Sequence, residues 1–158
     1  MRRSVPVCGP QDRFSWITPS LLLGAQPSAA DLRDLRRIGI GAVLSIRDDD
    51  PNPPHLFRRL NLAYHQIPIA SFSSPSLSQL AEACAFIDQQ QQSGRSVLVH
   101  CALGMQRSAG VCLAHLIHKG RPFGVALELL QTHRACARPN AEQLATIVAF
   151  AQRAEAPT

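Results

Sequence analysis

Residues 96–110 read Ser-Val-Leu-Val-His-Cys-Ala-Leu-Gly-Met-Gln-Arg-Ser-Ala-Gly. The first five residues form a short, mostly apolar run, which is typical of a buried strand. From Arg107 to His118 small and apolar residues predominate, as expected of a buried helix. The six residues between these runs include Gly104, which lets the chain turn tightly. This stretch therefore predicts a central strand, a tight loop and a buried helix.

Strand and helix signals alternate on either side of this unit. Trp16-Ile17 and Leu21–Leu23 flank the turn-like Thr18-Pro19-Ser20 and predict an opening hairpin. Further strands are predicted at 42–46 and 63–67, and further helices at 28–38, from Ser76 or Ser78 to Gln92, after Pro122 and from Asn140. The prolines at 51, 53 and 54 predict an internal loop. This order predicts a layered α/β fold with helices on both faces of one sheet.

Length, charge and hydropathy narrow the class of protein. A chain of 158 residues is expected to form one domain. Its net charge of +5 comes almost wholly from arginine, since Lys119 is the sole lysine, and it modestly favours anionic partners. No basic stripe alternates with aromatic residues, so we expect no nucleic-acid binding. The sequence has no apolar run of roughly 20 residues and no signal-peptide pattern, so we expect no membrane association and a cytoplasmic (intracellular) location. We also expect a monomer.

The five cysteines show no spacing that is typical of a metal site or of paired disulfides. They lie at Cys8, Cys84, Cys101, Cys112 and Cys136. An odd count in a chain expected inside the cell favours free thiols, one of which is reactive. We expect no metal site, and we expect Cys84 and Cys112 to be core thiols on apolar helical faces.

The predicted strand–loop–helix unit suits an anion. Such a turn aims consecutive backbone N–H groups into a hollow at the positive end of a helix dipole. The same field can lower a cysteine pKa from about 8.5 to about 3.5–7.5, which would make Cys101 a nucleophilic thiolate. Arg107 can grip two oxygens of a phosphoryl group with its planar fork. The sequence therefore predicts a phosphate cradle with a reactive cysteine at its floor.

Other loop residues receive predicted supporting roles. Ser108 can donate its hydroxyl to the Cys101 sulfur, and His100 can order the loop from behind. The predicted phosphate-binding residues are Ala102, Leu103, Gly104, Met105, Gln106 and Arg107. An inert buried thiol is the competing interpretation, because a cysteine and an arginine six positions apart occur easily by chance. The strand, the His-Cys pair, the glycine, the Arg-Ser pair and the helix together make a far more specific signal.

The run His100-Cys101-x-x-Gly104-x-x-Arg107-Ser108 resembles the signature loop of the protein tyrosine phosphatase superfamily, in its dual-specificity (VH1-like) branch. Segments 17–24, 32–46 and 138–144 resemble further motifs of that branch, so the likeness runs from about Trp16 to Phe150. It implies a single-domain cysteine-phosphatase fold with a central, mostly parallel, twisted sheet. We place the catalytic domain at 14–153, between an N-terminal extension (1–13) and a C-terminal tail (154–158).

The resemblance also implies a mechanism and a substrate class. The Cys101 thiolate would attack phosphorus, and water would hydrolyse the resulting phosphocysteine. No metal or other cofactor is implied, because the loop supplies the electrostatic stabilisation. The expected partner is a phosphoprotein or phosphopeptide carrying phosphotyrosine, with phosphoserine and phosphothreonine as further candidates.

Ser71 departs from the pattern of the family. Members usually carry an aspartate there, which protonates the leaving oxygen, and serine has no useful acidity near neutral pH. Three explanations are open: a substitution of a natural aspartate, a natural enzyme that is slow or unusual, or another carboxylate in the same role. Asp48, Asp49 and Asp50 are the candidates for the third, although we expect them to be solvated loop residues that cap a turn before Pro51.

Two rival functions remain open. Ser71 is compatible with a pseudophosphatase that recognises phosphate without efficient turnover. Sulfur transfer and arsenate reduction also use cysteine loops. The absence of lysine in the loop disfavours a phosphoinositide substrate.

Overall fold

A computed structural model describes residue 9 and residues 11–155, so Cys8 lies outside the described residues. The strands are β1 (Phe14–Thr18), β2 (Leu21–Gly24), β3 (Ile40–Ser45), β4 (Ala63–Gln66) and β5 (Ser96–His100). The helices are α1 (Ala29–Arg37), α2 (Pro54–Arg59), α3 (Leu77–Gln92), α4 (Arg107–His118), α5 (Phe123–His133) and α6 (Ala141–Glu155). None of the helices in this described part is long and apolar enough to cross a membrane.

The five strands form one sheet in the order β1-β2-β5-β3-β4. The β1–β2 pair is the antiparallel opening hairpin, and the other pairs are parallel. β5 lies in the middle, with its His100 paired to Gly24 of β2 and to Ser45 of β3. The carboxyl ends of the four parallel strands therefore meet at one edge of the sheet, where ligands bind in open α/β folds.

Alternate side chains of the central strand point to opposite faces of the sheet. Val97 and Val99 pack in the larger core with α3, α4, α5 and α6. Leu98 packs in the smaller core with side chains of α1 and α2. The predicted α/β fold, with a mostly parallel sheet covered on both faces, is thus confirmed.

Local signals explain where the helices begin. Ser28 accepts a hydrogen bond from the Asp31 amide while the Asp31 side chain accepts one from the Ser28 amide. Ser76 and Gln79 form the same reciprocal cap at the start of α3. Each cap satisfies backbone donors that have no partner within the helix. The predicted starts of both helices are confirmed.

The proline-rich segment is more ordered than predicted. The expectation of a plain loop is wrong at Pro54, which opens the short helix α2. Proline is tolerated in the first turn of a helix because no intrahelical bond needs its missing N–H. Phe57 of α2 is buried, and its ring stacks on that of Tyr64 with centroids 3.9 Å apart. A tertiary contact therefore stabilises a helix that is too short to show a periodic pattern.

The cysteines are not all free. Cys84, Cys101 and Cys112 are buried free thiols, whereas Cys136 is disulfide-bonded. The prediction of free thiols is wrong for Cys136. Sequence spacing could not reveal this, because a disulfide depends on which cysteines the fold brings within reach.

Candidate active site

The loop between β5 and α4, residues 101–106, lies at the carboxyl end of the central strand. Gly104 has a φ of 68°, in the left-handed region. A Cβ atom at this position would lie 2.6 Å from the backbone of Gly24, so even alanine would not fit without movement. Glycine is therefore required both by the backbone conformation and by the close approach of β2.

The sulfur of Cys101 is surrounded by hydrogen-bond donors. Its Sγ atom lies 3.0 Å from Ser108 Oγ and 3.3 Å from the Gly104 amide nitrogen. Burial alone would raise the pKa of Cys101, but these contacts, the Ser108 amide and the Arg107 charge lower it. The arrangement favours the thiolate form.

Arg107 connects two loops. Its buried guanidinium donates from Nη1 to the carbonyl oxygen of Ile69 at 2.7 Å. Ile69 belongs to the β4–α3 loop, residues 67–76, which also carries Ser71. The Asp48 Oδ1 atom lies 3.9 Å from the same nitrogen. Arg107 thus anchors the loop that bears the expected position of the acid beside the cysteine loop.

A cavity of about 250 Å³ opens above the cysteine. Its lining consists of Ser71, Phe72, Cys101, Ala102, Leu103, Met105, Gln106 and Arg107. Ser71 and Cys101, which are 30 positions apart in the chain, therefore face the same space. Gly104, Ser108 and His100 are not part of this lining. Arg107 is the single basic side chain among the lining residues.

His100 is buried beside the cysteine loop, and its predicted supporting role stays a prediction. Its side chain is fully buried, with Nδ1 3.1 Å from the carbonyl oxygen of Cys101. Its Nε2 atom lies 3.6 Å from Asp50 Oδ2, which is an ion-pair distance and too long for a hydrogen bond. His100 therefore connects the cysteine loop to the β3–α2 segment.

The three aspartates after β3 have different environments. The side chain of Asp50 is only 2% exposed, and it accepts hydrogen bonds from the Tyr64 hydroxyl at 2.7 Å and from the Asn52 amide at 3.0 Å. The expectation of a solvated residue is wrong for Asp50, because the fold brings Tyr64 and His100 to it. Burial favours a higher pKa for Asp50, but His100 and these donors hold it well below the ordinary value.

Asp50 does not line the cavity, and its carboxylate is held in the ionised form by Tyr64, Asn52 and His100, so it is a poor candidate for the acid. Asp49 is exposed and pairs with Arg47 at 2.9 Å. Asp48 is 52% exposed and is the one of the three within ion-pair distance of Arg107. It is the remaining acidic candidate near the cavity.

The β4–α3 loop is held by α6. The Asn140 side chain donates to the Phe72 carbonyl at 3.0 Å, and the Gln143 side chain donates to the Ser73 carbonyl at 3.1 Å. Asn140 and Gln143 also cap each other at the start of α6. Phe72 has a φ of 65°, which is unusual for a bulky residue, and its side chain is 73% exposed. Phe72 therefore stands at the cavity mouth and is not packed into its own loop.

Sequence reasoning missed Arg134. This buried arginine donates from Nε to the Gly104 carbonyl at 2.8 Å and from Nη2 to the Leu103 carbonyl at 3.1 Å. It lies 30 positions or more from the loop that it contacts. No local pattern around residue 134 marks it, because its role depends on where α5 ends in space.

Comparisons with known proteins show the family to which this chain is similar. Residues 21–153 match the family described as "Dual specificity phosphatase, catalytic domain". Human "Dual specificity protein phosphatase 2" is 35% identical over 137 residues, which cover 85% of this chain and 42% of that protein. Human "Dual specificity phosphatase 28" is 30% identical over 128 residues, covering 78% of this chain and 69% of that protein.

A solved structure, "Crystal structure of Tk-PTP in the active form", has a TM-score of 0.83 and 25% identity. The alignment covers 89% of this chain and 97% of that chain. This chain spans about two fifths of the length of human dual specificity protein phosphatase 2. The predicted resemblance is confirmed, and the chain belongs to the dual specificity phosphatase family, whose catalytic domain it matches over most of its length.

Proposed function

We propose that this protein is a cysteine-dependent protein phosphatase that hydrolyses phosphotyrosine through a phosphocysteine intermediate on Cys101. One observation carries the proposal. The Cys101 sulfur has donors at 3.0 and 3.3 Å and faces a cavity that Arg107 also lines. A stabilised thiolate and a guanidinium that line the same cavity suit phosphoryl transfer.

The reaction has two steps. The Cys101 thiolate attacks phosphorus, the bond to the tyrosine oxygen breaks, and that oxygen leaves as phenolate or takes a proton from water. The Arg107 fork and the loop amides bind the equatorial oxygens of the transferring group. Water then attacks the phosphocysteine, and inorganic phosphate and the thiolate are released. The Ser108 hydroxyl, 3.0 Å from the sulfur, stabilises the departing thiolate.

Phosphotyrosine is the preferred substrate for two reasons. Loss of a positioned general acid costs about 10²–10⁴-fold, and it costs most where the leaving group is poor. A phenolate leaves more readily than a serine or threonine alkoxide, so the lack of an acid at position 71 should slow the hydrolysis of aryl phosphates least. The cavity is also lined by apolar side chains, among them Phe72, Leu103 and Met105, which suit a phenyl ring better than an inositol headgroup.

A second candidate function is a pseudophosphatase that binds phosphotyrosine peptides with little turnover. The observation that favours it is the absence of any carboxylate among the residues that line the cavity. Asp48 can replace the missing proton donor only if its carboxyl group reaches the leaving oxygen from its position beside Arg107. The variant Asp48→Asn, with Asp49→Asn as matched control, tests that route. Proton delivery by Asp48 requires a selective loss on alkyl phosphates that the control lacks.

The decisive experiment tests whether the phosphoryl group is transferred from the substrate to Cys101. Purified protein is mixed with a phosphotyrosine peptide, quenched in acid and digested, and the peptide containing Cys101 is examined by mass spectrometry. We expect a phosphoryl adduct on Cys101, vanadate-sensitive release of phosphate, and neither in Cys101→Ser. A persulfide on Cys101 would instead indicate sulfur transfer. Peptide binding without turnover, unrestored by Ser71→Asp, would establish the pseudophosphatase.

A further inference from the structure

The guanidinium of Arg134 is buried without a carboxylate partner. Arg134 is only 2% exposed. Its guanidinium donates four hydrogen bonds, all to uncharged groups. Besides the two loop carbonyls, these are the Asp12 carbonyl at 2.7 Å and Ser15 Oγ at 3.0 Å. Within the described part of the chain, no ion pair is formed by Arg134. A buried cation without a counter-charge is costly, so a compensating anion is expected nearby.

The candidate for that anion to which hydrogen bonds connect Arg134 is the Cys101 thiolate. The peptide unit between Leu103 and Gly104 lies between the two groups. Its carbonyl accepts from Arg134 Nη2 at 3.1 Å, and its N–H donates to Cys101 Sγ at 3.3 Å. Because a trans peptide is planar, with its carbonyl and N–H pointing in opposite directions, a donor on one side fixes the N–H on the other. Hydrogen bonds in such a chain also polarise one another.

We propose that Arg134 is a positioning residue that acts from behind the loop as the second positive charge of the phosphate site. It aims the Gly104 N–H at the sulfur and stabilises both the thiolate and a bound phosphate, without touching the substrate. The inference rests on the proposed function, since it assigns a further residue to the same site.

The electrostatic surroundings of Arg134 agree with this role. Burial lowers the pKa of Arg134, and the charge of Cys101 is the largest influence that opposes this. Asp12 and Cys112 act in the same direction as Cys101 but more weakly. A purely structural role is the alternative, in which Arg134 merely ties the start of β1 to the loop through Asp12 and Ser15.

Three substitutions separate charge from hydrogen bonding. Arg134→Met removes both, Arg134→Gln keeps a donor but loses the charge, and Arg134→Lys keeps the charge but loses the fork. Arg138→Met is the matched control, because it removes an exposed charge from the same segment and leaves the backbone bond from Arg138 N to Met105 O intact. Circular dichroism and thermal unfolding establish that each variant is folded.

Two readouts need no turnover: the Kd for vanadate, and the pH midpoint of Cys101 alkylation by iodoacetamide. We expect Arg134→Met and Arg134→Gln to weaken vanadate binding by on the order of tenfold and to raise the alkylation midpoint. Arg134→Lys should retain most of the affinity, and Arg138→Met should match the parent protein. If Arg134→Met does not fold, Arg134→Gln and Arg134→Lys carry the same comparison.

The inference is overturned if the neutral variants are folded yet keep the parental vanadate affinity and midpoint. It is also overturned if Arg134→Lys is as impaired as Arg134→Gln, because charge would then not be the cause. Either result leaves the phosphoryl adduct on Cys101 in the parent protein unaffected, so failure here is distinct from failure of the proposed function.

Discussion

The β5–α4 loop and the β4–α3 loop face the same cavity but differ in how many of the groups needed for the proposed reaction each of them contains. The first contains a buried cysteine and is enclosed by Ser108, Arg107 and Arg134. The second places Ser71 and the exposed Phe72 at the cavity, and α6 holds it through hydrogen bonds to loop carbonyls. The first contains the cysteine and the donors on which the proposed phosphate binding and nucleophilic attack depend, while the second faces the cavity but has no acidic side chain.

This difference separates two tasks. In the proposed site, anion binding is shared among backbone amides, a helix N-terminus and two arginines, so we expect no single side chain to supply all of it. Proton delivery depends on one side chain with suitable acidity at one position. The β4–α3 loop can therefore keep its shape and its contact with Arg107 while the chemistry expected of it is absent. The predictions below test each loop in turn.

The largest expected effect comes from Arg107→Lys. Lysine keeps the charge but cannot grip two oxygens or bridge to the Ile69 carbonyl, so both loops are affected. We expect kcat for a phosphotyrosine peptide to fall about 10³-fold. Arg153→Lys, at an exposed position on α6, is the control. Steady-state kinetics measure this, and a loss below tenfold would contradict the assigned role of Arg107.

Ser71→Asp tests directly whether the β4–α3 loop lacks only an acidic side chain. The new carboxyl group should protonate the leaving oxygen, and we expect turnover of phenyl phosphate to rise about 10²-fold, with a smaller gain for p-nitrophenyl phosphate. Because the acid must be protonated, the variant should also lose activity at alkaline pH where the parent protein does not. Rates across a series of leaving groups and pH values provide the measurement.

An equal gain on every leaving group would mean that Ser71→Asp acts by some route other than protonation. Ser73→Asp, two positions further along the same loop, is the matched control and should give no such gain.

Ser108→Ala tests what keeps Cys101 ionised. The Ser108 hydroxyl lowers the pKa of Cys101, so its removal should raise that pKa and shift the alkylation midpoint to higher pH. A hydrogen bond to a charged group contributes about 1.5–3 kcal/mol, so kcat should fall by at least about tenfold. Iodoacetamide labelling across pH, followed by peptide mapping, measures the shift.

Cys112 is the internal reference in that labelling experiment. It is fully buried in α4 with no donor to its sulfur among the described contacts, and burial raises its pKa. It should stay unlabelled in the native protein at any pH that labels Cys101. Labelling of Cys112 at the same rate would refute the distinction between the two thiols.

The smallest expected effect is that of Phe72→Ala. Loss of one apolar wall should raise KM for a phosphotyrosine peptide about fivefold, since aromatic contacts contribute about 0.5–1.5 kcal/mol. Turnover of a small alkyl phosphate should be unchanged. Val125→Ala, an exposed apolar residue on α5, is the control. A matching loss on both substrates would show that Phe72 supports the loop and not the ring.

Some elements of the fold could be predicted because the residues that determine them are close together in the sequence. The strand 96–100 and the helix 107–118 were predicted with the bounds that the structure has, since the strand is a short apolar run, the helix is rich in small and apolar residues, and the loop between them contains a glycine. The caps at Ser28 and Ser76 are equally local, because a capping box needs only four consecutive residues. The short helix α2 was missed, because Phe57 stabilises it through contact with Tyr64, a residue on another element.

The sequence by itself determined the α/β order of elements, the cysteine loop and the family, because these depend on residue types at short spacing. Only the tertiary structure decided that Asp50 is a buried partner of Tyr64 and His100, and that Arg134 lies behind the loop. Burial and long-range hydrogen bonds set whether a carboxylate or a guanidinium serves structure or chemistry. Those quantities exist only once distant segments of the chain are in contact.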